Sequence, residues 1–413
     1  MTSPIFHPRK EQILQRLQEL SFPRMIGTQG EKHAQLYLLS LLKKLGFTPK
    51  IESFLFNPPH VLIDVIKYGT IIALGAILAF FFWIGDIVLI AFSIGFQWCI
   101  FALFYLIQKV LRDKLTHKLT ISSKNLCVTQ ESQRGHEFGV KMAKILLVTH
   151  YDSQNTTLSP KITFLMHKFL KFSIILLHFF TLLYTLLPLN YSEYFFLAWF
   201  RILAWIFLII SMISALYLEI DLKGDFPHGR FNNATGTTIV LSLLERIKES
   251  QTHLDWCDLE TLFTSGTDQG RIGSKAYFLD HEADLCQYKD VYILNIDSIA
   301  RSVSVQGNLL PLLKTPISPF LSDLVFDLAQ HLNISVKSSS LEWTPDNDAI
   351  TFFNKGQNFH VCSFISPADK LFPDTHIDFA KFDPKILLDA TELLFNLILT
   401  LDQRINDKVA SGE

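Results

Sequence analysis

The sequence predicts an α/β protein, a three-layer α/β/α domain on a mixed central sheet, interrupted by blocks of apolar helix. Three observations carry that expectation. Strand-like runs alternate with helical periodicity from Leu119 to Leu401, the pattern of a layered α/β domain. The stretch ILLVTHYDS, Ile145 to Ser153, reads as a buried central strand that delivers an imidazole and a carboxylate at its C-terminal end, where open α/β sheets gather their chemistry. Two long apolar blocks, 61–107 and 172–218, fall between the globular segments.

The 413 residues suffice for one large domain or two ordinary ones. A formal net charge of −2 gives no basic surplus for nucleic acid. Mean hydropathy of +0.27 is high for a soluble chain and points to membrane segments. The five cysteines are scattered without ligand spacing, which argues against a disulfide framework and for a reducing compartment. The first residues, MTSPIFHPRKEQ, lack the apolar core of a secretory signal.

Gln12–Leu20 and Gly30–Leu45 have helical periodicity, with Gly46 as the stop, and FTPKIESFLF alternates as a strand. Apolar runs at Tyr68–Ile84 and Ile87–Ile107 follow. Leu119–Thr129 and Lys144–Thr149 are strands, and two further apolar runs cover Phe172–Pro188 and Phe195–Leu218. Ala234–Glu249 is an amphipathic helix, Leu259–Thr264 a strand, Gly273–Leu279 a short helix and Val291–Ile296 a buried strand ending at Asp297. Phe320–Leu332, His360–Ile365 and Pro384–Leu401 close the chain as helix, strand and helix.

The four apolar runs read as four transmembrane helices in two hairpins. Their tight connections, Gly85-Asp86 and LNYSEY, hold no Lys or Arg, whereas the outer flanks carry Lys67, Lys109, Arg112, Lys114, Lys118, Lys161, Lys168, Lys171 and Lys223. By the positive-inside rule both hairpins begin and end in the cytoplasm, so the expectation is a multi-pass integral membrane protein with a cytoplasmic globular domain. The domain boundaries expected are 1–60, 111–163 and 223–413 for the globular part, with hairpins at 61–110 and 164–222.

The globular pieces PRMIGTQGEKHAQLYLLSLLKKLGF, ILLVTHYDS, GRFNNATG, SGTDQGRIGSKAY, LNIDSIA, DNDAITFFNKG and PDTHIDFAKFDP occur in an order that resembles the zinc-dependent aminopeptidases of the MH clan, whose relatives include glutaminyl cyclases, the transferrin receptor ectodomain and nicastrin. The resemblance covers nearly all of the chain outside the hairpins. It implies the fold above and a cleft at one edge of the sheet. In that family two zinc ions are held by a His, a bridging Asp, a Glu, a second Asp and a final His, and a separate Glu is the general base.

Carried over by position, the resemblance places the first His on His150, the Asp that orients it on Asp152, and the second Asp ligand on Asp297. The other positions depart from the pattern. The bridging Asp falls on Asn232, the general-base Glu on Thr267, the Glu ligand on Asp268 and the last His on Lys370. Asn232 is neutral and cannot balance two dications, a threonine hydroxyl has no proton-accepting pKa near neutrality, and Lys370 brings an ammonium where a metal would lie. Lys370 is alternatively a solvated loop lysine, and Asn232-Asn233 a helix cap.

Two functions of different class follow. One is a membrane-anchored, catalytically impaired relative that binds a peptide or membrane-protein partner. The other is a membrane-bound metallo-aminopeptidase working on one metal with substituted ligands, at most one zinc on His150, Asp297 and Asp268. Loss of a general base costs about 10²–10⁴ in rate, which favours the first.

Overall fold

The computed structural model describes residues 10–56, 61–84, 88, 90, 92–100, 102–103, 121–153, 160–186, 194–222, 233–267, 269–299, 302–308, 318–340, 347–353, 355–356, 358–366 and 382–412. The chain divides into two compact units. One comprises Met1–Phe56, Ser122–Asn155 and Pro227–Glu413, the other Asn57–Ile121 and Thr156–Phe226.

The first unit is built on an eight-stranded sheet ordered β1-β2-β4-β3-β5-β8-β6-β7. Its strands are β1 Lys50–Phe56, β2 Ile121–Gln130, β3 Ala143–His150, β4 Cys257–Thr264, β5 Asp290–Asp297, β6 Val303–Asn308, β7 Val336–Ser340 and β8 Phe359–Ile365. The central four, β4-β3-β5-β8, are mutually parallel, whereas β2 runs antiparallel to β4 and β6 antiparallel to β8. A parallel core must be covered on both faces, and β3 accordingly has all eight residues buried.

Alternation along the strands assigns the faces. Ile145, Leu147, Leu259, Phe263 and Leu294 share one core with the helices Lys10–Glu19 (α1), Gln29–Lys44 (α2), Ala234–Glu249 (α7), Pro319–His331 (α9) and Lys385–Ser411 (α11). Leu146, Val148, Leu262 and Ile293 face the other way, onto Ile272–Leu285 (α8) and Ala349–Phe352 (α10). The expected three-layer α/β/α arrangement on a mixed sheet is thus what forms. The chain steps from β3 outward to β4, then returns across β3 to β5, so the strand order reverses at β3. The C-terminal end of β3 therefore sits at the switch point where such sheets open a crevice.

Three differences from the sequence expectation have local causes. Helix α8 runs to Leu285, past the expected stop at Leu279. Its polar second half, DHEADL, hides the signal, but Leu285 is fully buried and anchors the last turn. The parallel pair β6-β7 has the sequences VSVQGN and VKSSS, too polar and glycine-containing to read as strands. A short helix, Gln133–Phe138 (α4), stops at Gly139 with φ of 64°, the left-handed cap that glycine adopts without cost.

The second unit holds the helices Val61–Ile84 (α3), Pro160–Leu186 (α5) and Tyr194–Leu222 (α6), with residues 92–100 also helical. Two segments are long and apolar enough to cross a membrane, Leu165–Leu183 in α5 and Ala198–Leu218 in α6. The expectation of four such helices is corrected to two candidates among the described residues. In α3 an apolar stretch of the described residues covers Lys67–Phe81. Residues 104–107 of the run Ile87–Ile107, the Gly85-Asp86 connection and residues 187–193 of the other connection lie outside the described residues. Packing within this unit is close. A Cβ on Gly75 would meet Met212 Cγ at 3.1 Å, and Ser173 Oγ lies 2.8 Å from Ser211 Oγ across the α5–α6 contact.

Candidate functional site

Parallel register brings the strand ends together. His150 of β3 pairs with Thr264 of β4, and Val148 pairs with Asn295 of β5, so Asp297 follows level with His150. Alternation puts His150, Thr264 and Asp297 on the face covered by α8 and α10. The imidazole Nδ1 lies 3.2 Å from Asp152 Oδ1 and 3.2 Å from the Asp152 carbonyl, and Nε2 lies 3.4 Å from Asp297 Oδ1. All three residues are 1–2% exposed. Burial disfavours an imidazolium, but the hydrogen bonds and charges of Asp152 and Asp297 outweigh it and hold the His150 pKa well above the ordinary histidine value. Of the residues expected at the site, the structure thus brings His150, Asp152 and Asp297 into one buried cluster.

Asn233 locks the strand ends that carry this cluster. Its backbone is left-handed, with φ of 48°, a conformation asparagine tolerates better than most residues. Its amide nitrogen donates to Thr149 Oγ1 at 2.9 Å, the His150 carbonyl at 2.9 Å and the Ile296 carbonyl at 3.2 Å, while its oxygen accepts from the Ser298 amide at 2.8 Å. The second glycine of GRFNNATG, Gly236, is explained by the same packing. A Cβ on Gly236 would meet Asn233 Oδ1 at 2.1 Å, so α7 approaches the sheet only without a side chain there.

Two buried charges support the site from the N-terminal segment, and sequence reasoning assigned neither. Arg24 is completely buried. Its Nε donates to the Tyr151 carbonyl at 2.8 Å and its Nη1 to the Phe22 carbonyl at 2.9 Å, and its amide donates to Ser153 Oγ at 2.8 Å. Burial lowers its pKa to about 10, against the opposing charge of Asp152. Glu31 accepts from the Gly27 amide at 2.6 Å and from Ser265 Oγ at 2.6 Å, and also from Ser123 Oγ. Both residues lie inside PRMIGTQGEKH, so the signal was present in the motif. Their partners, more than 90 residues away for Ser123 and Ser153, were not.

Thr267, placed by the resemblance where a general-base carboxylate belongs, is fully buried. Its hydroxyl donates to Asp348 Oδ2 at 2.7 Å. Thr264 Oγ1 donates to the same oxygen at 2.8 Å, and Ser274 Oγ donates to Asp348 Oδ1 at 2.6 Å. Asp348 is 1% exposed, so three hydroxyls from β4, its following turn and α8 satisfy a carboxylate that solvent does not reach. Beside it Asn347 Nδ2 donates to Ser363 Oγ at 2.9 Å, and Asn347 Oδ1 accepts from Asn295 Nδ2 at 3.0 Å. Asp348 lies in DNDAITFFNKG, a segment the sequence singled out without giving this residue a role.

Asn232, Asp268 and Lys370, the other residues expected at the site, lie outside the described residues. Among the described residues no group of three or more His, Cys, Asp and Glu side chains is disposed to hold a metal ion. His150 and Asp297 supply two donors facing one another, short of the three or four protein ligands that zinc sites take. The described donor set therefore does not fit a zinc pair.

The fold is shared with solved glutaminyl cyclases and zinc aminopeptidases. Glutaminyl cyclase from an Acidobacteriales bacterium matches with a TM-score of 0.53 at 12% identity, covering 98% of this chain and 98% of that one. Glutaminyl cyclase from Fimbriiglobus ruber matches at 0.52 with 13% identity, over 96% of each chain. The zinc aminopeptidase of Bacillus subtilis matches at 0.51 with 11% identity, again over 96% of each chain. No protein-family model and no curated protein matches the chain. At these identities the likeness establishes an aminopeptidase-like fold.

Proposed function

We propose that the chain is a membrane-anchored, aminopeptidase-like protein that binds a peptide or protein partner in its cleft and does not hydrolyse it. One observation carries this reading. The position that the resemblance assigns to the general base holds Thr267, whose hydroxyl proton is already donated to the buried Asp348. A hydroxyl of that kind is no proton acceptor near neutral pH. The expected substitutions at Asn232 and Lys370 point the same way, because they remove the bridging anion and a metal ligand. Zinc in this reading is limited to one ion, on His150, Asp297 and Asp268. The apolar segments Leu165–Leu183 and Ala198–Leu218 support anchoring in a membrane, with the globular unit in the cytoplasm.

The test is to purify the full chain in mild detergent with added Zn²⁺, count metal per chain, and assay aminoacyl-fluorophore substrates. The expected result is at most one zinc and no turnover. Two zinc ions per chain, with turnover lost in His150→Ala, would overturn the reading. A variant carrying Asn232→Asp, Thr267→Glu, Asp268→Glu and Lys370→His tests the positions themselves, since gain of metal and of activity there places the loss in those four residues.

A further inference from the structure

The sheet face beneath α8 is apolar in its middle and polar at both ends. Along β3 it reads Lys144, Leu146, Val148, His150, and along β4 Glu260, Leu262, Thr264. The His150 end is the cleft described above. The Lys144 end opens on a second cavity of about 420 Å³, walled by β1, β2, β3, β4, the α4 turn and α8. Small-molecule sites run from about 300 to 1,000 Å³.

The floor of this cavity is closed. Lys144 Nζ lies 2.5 Å from Glu260 Oε2, with the two side chains 5% and 6% exposed. Glu260 Oε1 accepts from Tyr277 Oη at 2.8 Å, and Asp258 Oδ2 accepts from Tyr288 Oη at 2.7 Å. A buried ion pair is not a stability device, because well-packed apolar residues of similar volume do as well or better. The neighbouring positions of this same face, Leu146 and Leu262, are apolar core. The rim differs from the floor, since most of its charged side chains reach solvent, and the two are joined where Lys144 Nζ lies 3.6 Å from Asp284 Oδ2. Lys141 and Asp284 pair with side chains 39% exposed, and Lys50, 69% exposed, pairs with Glu52, which is 14% exposed and also lies 2.9 Å from His281 Nε2.

We infer that this cavity binds a small zwitterion, a molecule carrying one ammonium and one carboxylate. Exposed ion pairs are individually weak, so ligand groups exchange with them at little cost. A ligand of one sign takes one member of a rim pair and strands the other. A zwitterion takes both: its carboxylate replaces Asp284 on Lys141, and its ammonium receives the carboxylate so released. The buried Lys144–Glu260 pair supplies a rigid polar floor. The inference is independent of the cleft, since no residue used here lies at the His150 end.

The experiment is calorimetric titration of the full chain in mild detergent with 4-aminobutanoate, and with butylamine and butanoate as single-charge counterparts. The expected result is saturable binding of 4-aminobutanoate, at least tenfold tighter than either counterpart and weakened by added salt. Thr129 is exposed on β2 and lines the cavity, so Thr129→Trp fills the space without altering charge and should reduce affinity at least tenfold. Lys141→Gln, at a side chain 39% exposed, removes the partner of the ligand carboxylate and frees Asp284, so it should weaken 4-aminobutanoate and leave butylamine bound at least as tightly. Absence of saturable binding, equal affinity for the single-charge probes, or binding that survives both substitutions would overturn the inference. The last outcome would place the ligand elsewhere, the cleft included.

Discussion

The two ends of the α8-facing sheet surface solve the same problem in opposite ways. At the His150 end, three hydroxyls satisfy the buried carboxylate of Asp348, and one imidazole lies between Asp152 and Asp297. At the Lys144 end an ammonium meets a carboxylate directly, and both are withdrawn from water. The first arrangement is rich in donors and poor in free proton acceptors. The second holds full charges of both signs above a cavity. Resemblance to an enzyme family directs attention to the first end, yet the second keeps more exchangeable charge.

The sharpest way to break this contrast is at the buried ion pair. Lys144→Met leaves Glu260 charged and unpaired except for Tyr277, and should destabilise the fold by about 3–5 kcal/mol, read as a fall in melting temperature. Adding Glu260→Gln, which keeps an acceptor for Tyr277, should recover most of the loss. A double variant as unstable as the single one would show that the pair itself holds the strands together.

A smaller effect, also at the N-terminal strand ends, depends on pH. The His360 Nε2 contact at 3.2 Å and the Lys408 ammonium at 3.0 Å hold the Asp290 carboxyl down from 3.8 to about 2, the hydrogen bond to His360 leading and partial burial opposing. A depressed carboxylate pKa adds stability above the unfolded value, and that stability is lost as pH falls through the folded one. Asp290→Asn should therefore melt earlier than wild type at pH 5, by about 1–2 kcal/mol once solvent screening is allowed for. The gap should close between pH 4 and pH 2. A gap constant over that range would remove Asp290 from the account.

The smallest effect belongs to the His150 end. Thr267→Val removes one of three hydroxyls on Asp348 and should cost about 1 kcal/mol, a typical single hydrogen bond. Aminoacyl-substrate turnover should be absent before and after. A drop in turnover with Thr267→Val would mean that the hydroxyl takes part in chemistry and is not a closed interior contact.

Much of this was legible in the chain. The run ILLVTHYDS is apolar on both faces and ends in polar residues, and only a covered central strand accommodates that pattern, so β3 and His150 were placed by sequence. Asp297 followed from an equally apolar β5, and the α/β class from the alternation of periods. Of the four expected spanning helices, two are long and apolar enough among the described residues, Leu165–Leu183 and Ala198–Leu218.

Tertiary structure alone decided the partners. Asp348 meets Ser274 and Thr264 across 74 and 84 residues of chain, and Arg24 meets Tyr151 across 127. Lys144 and Glu260 acquire each other only because β3 and β4 pair in one register, Leu146 opposite Glu260, which brings Lys144 within reach. Local periodicity reports which face a residue occupies, because that depends on its own dihedrals and near neighbours. Which buried charge meets which donor depends on strand order and register, and those are set by the packing of the whole unit.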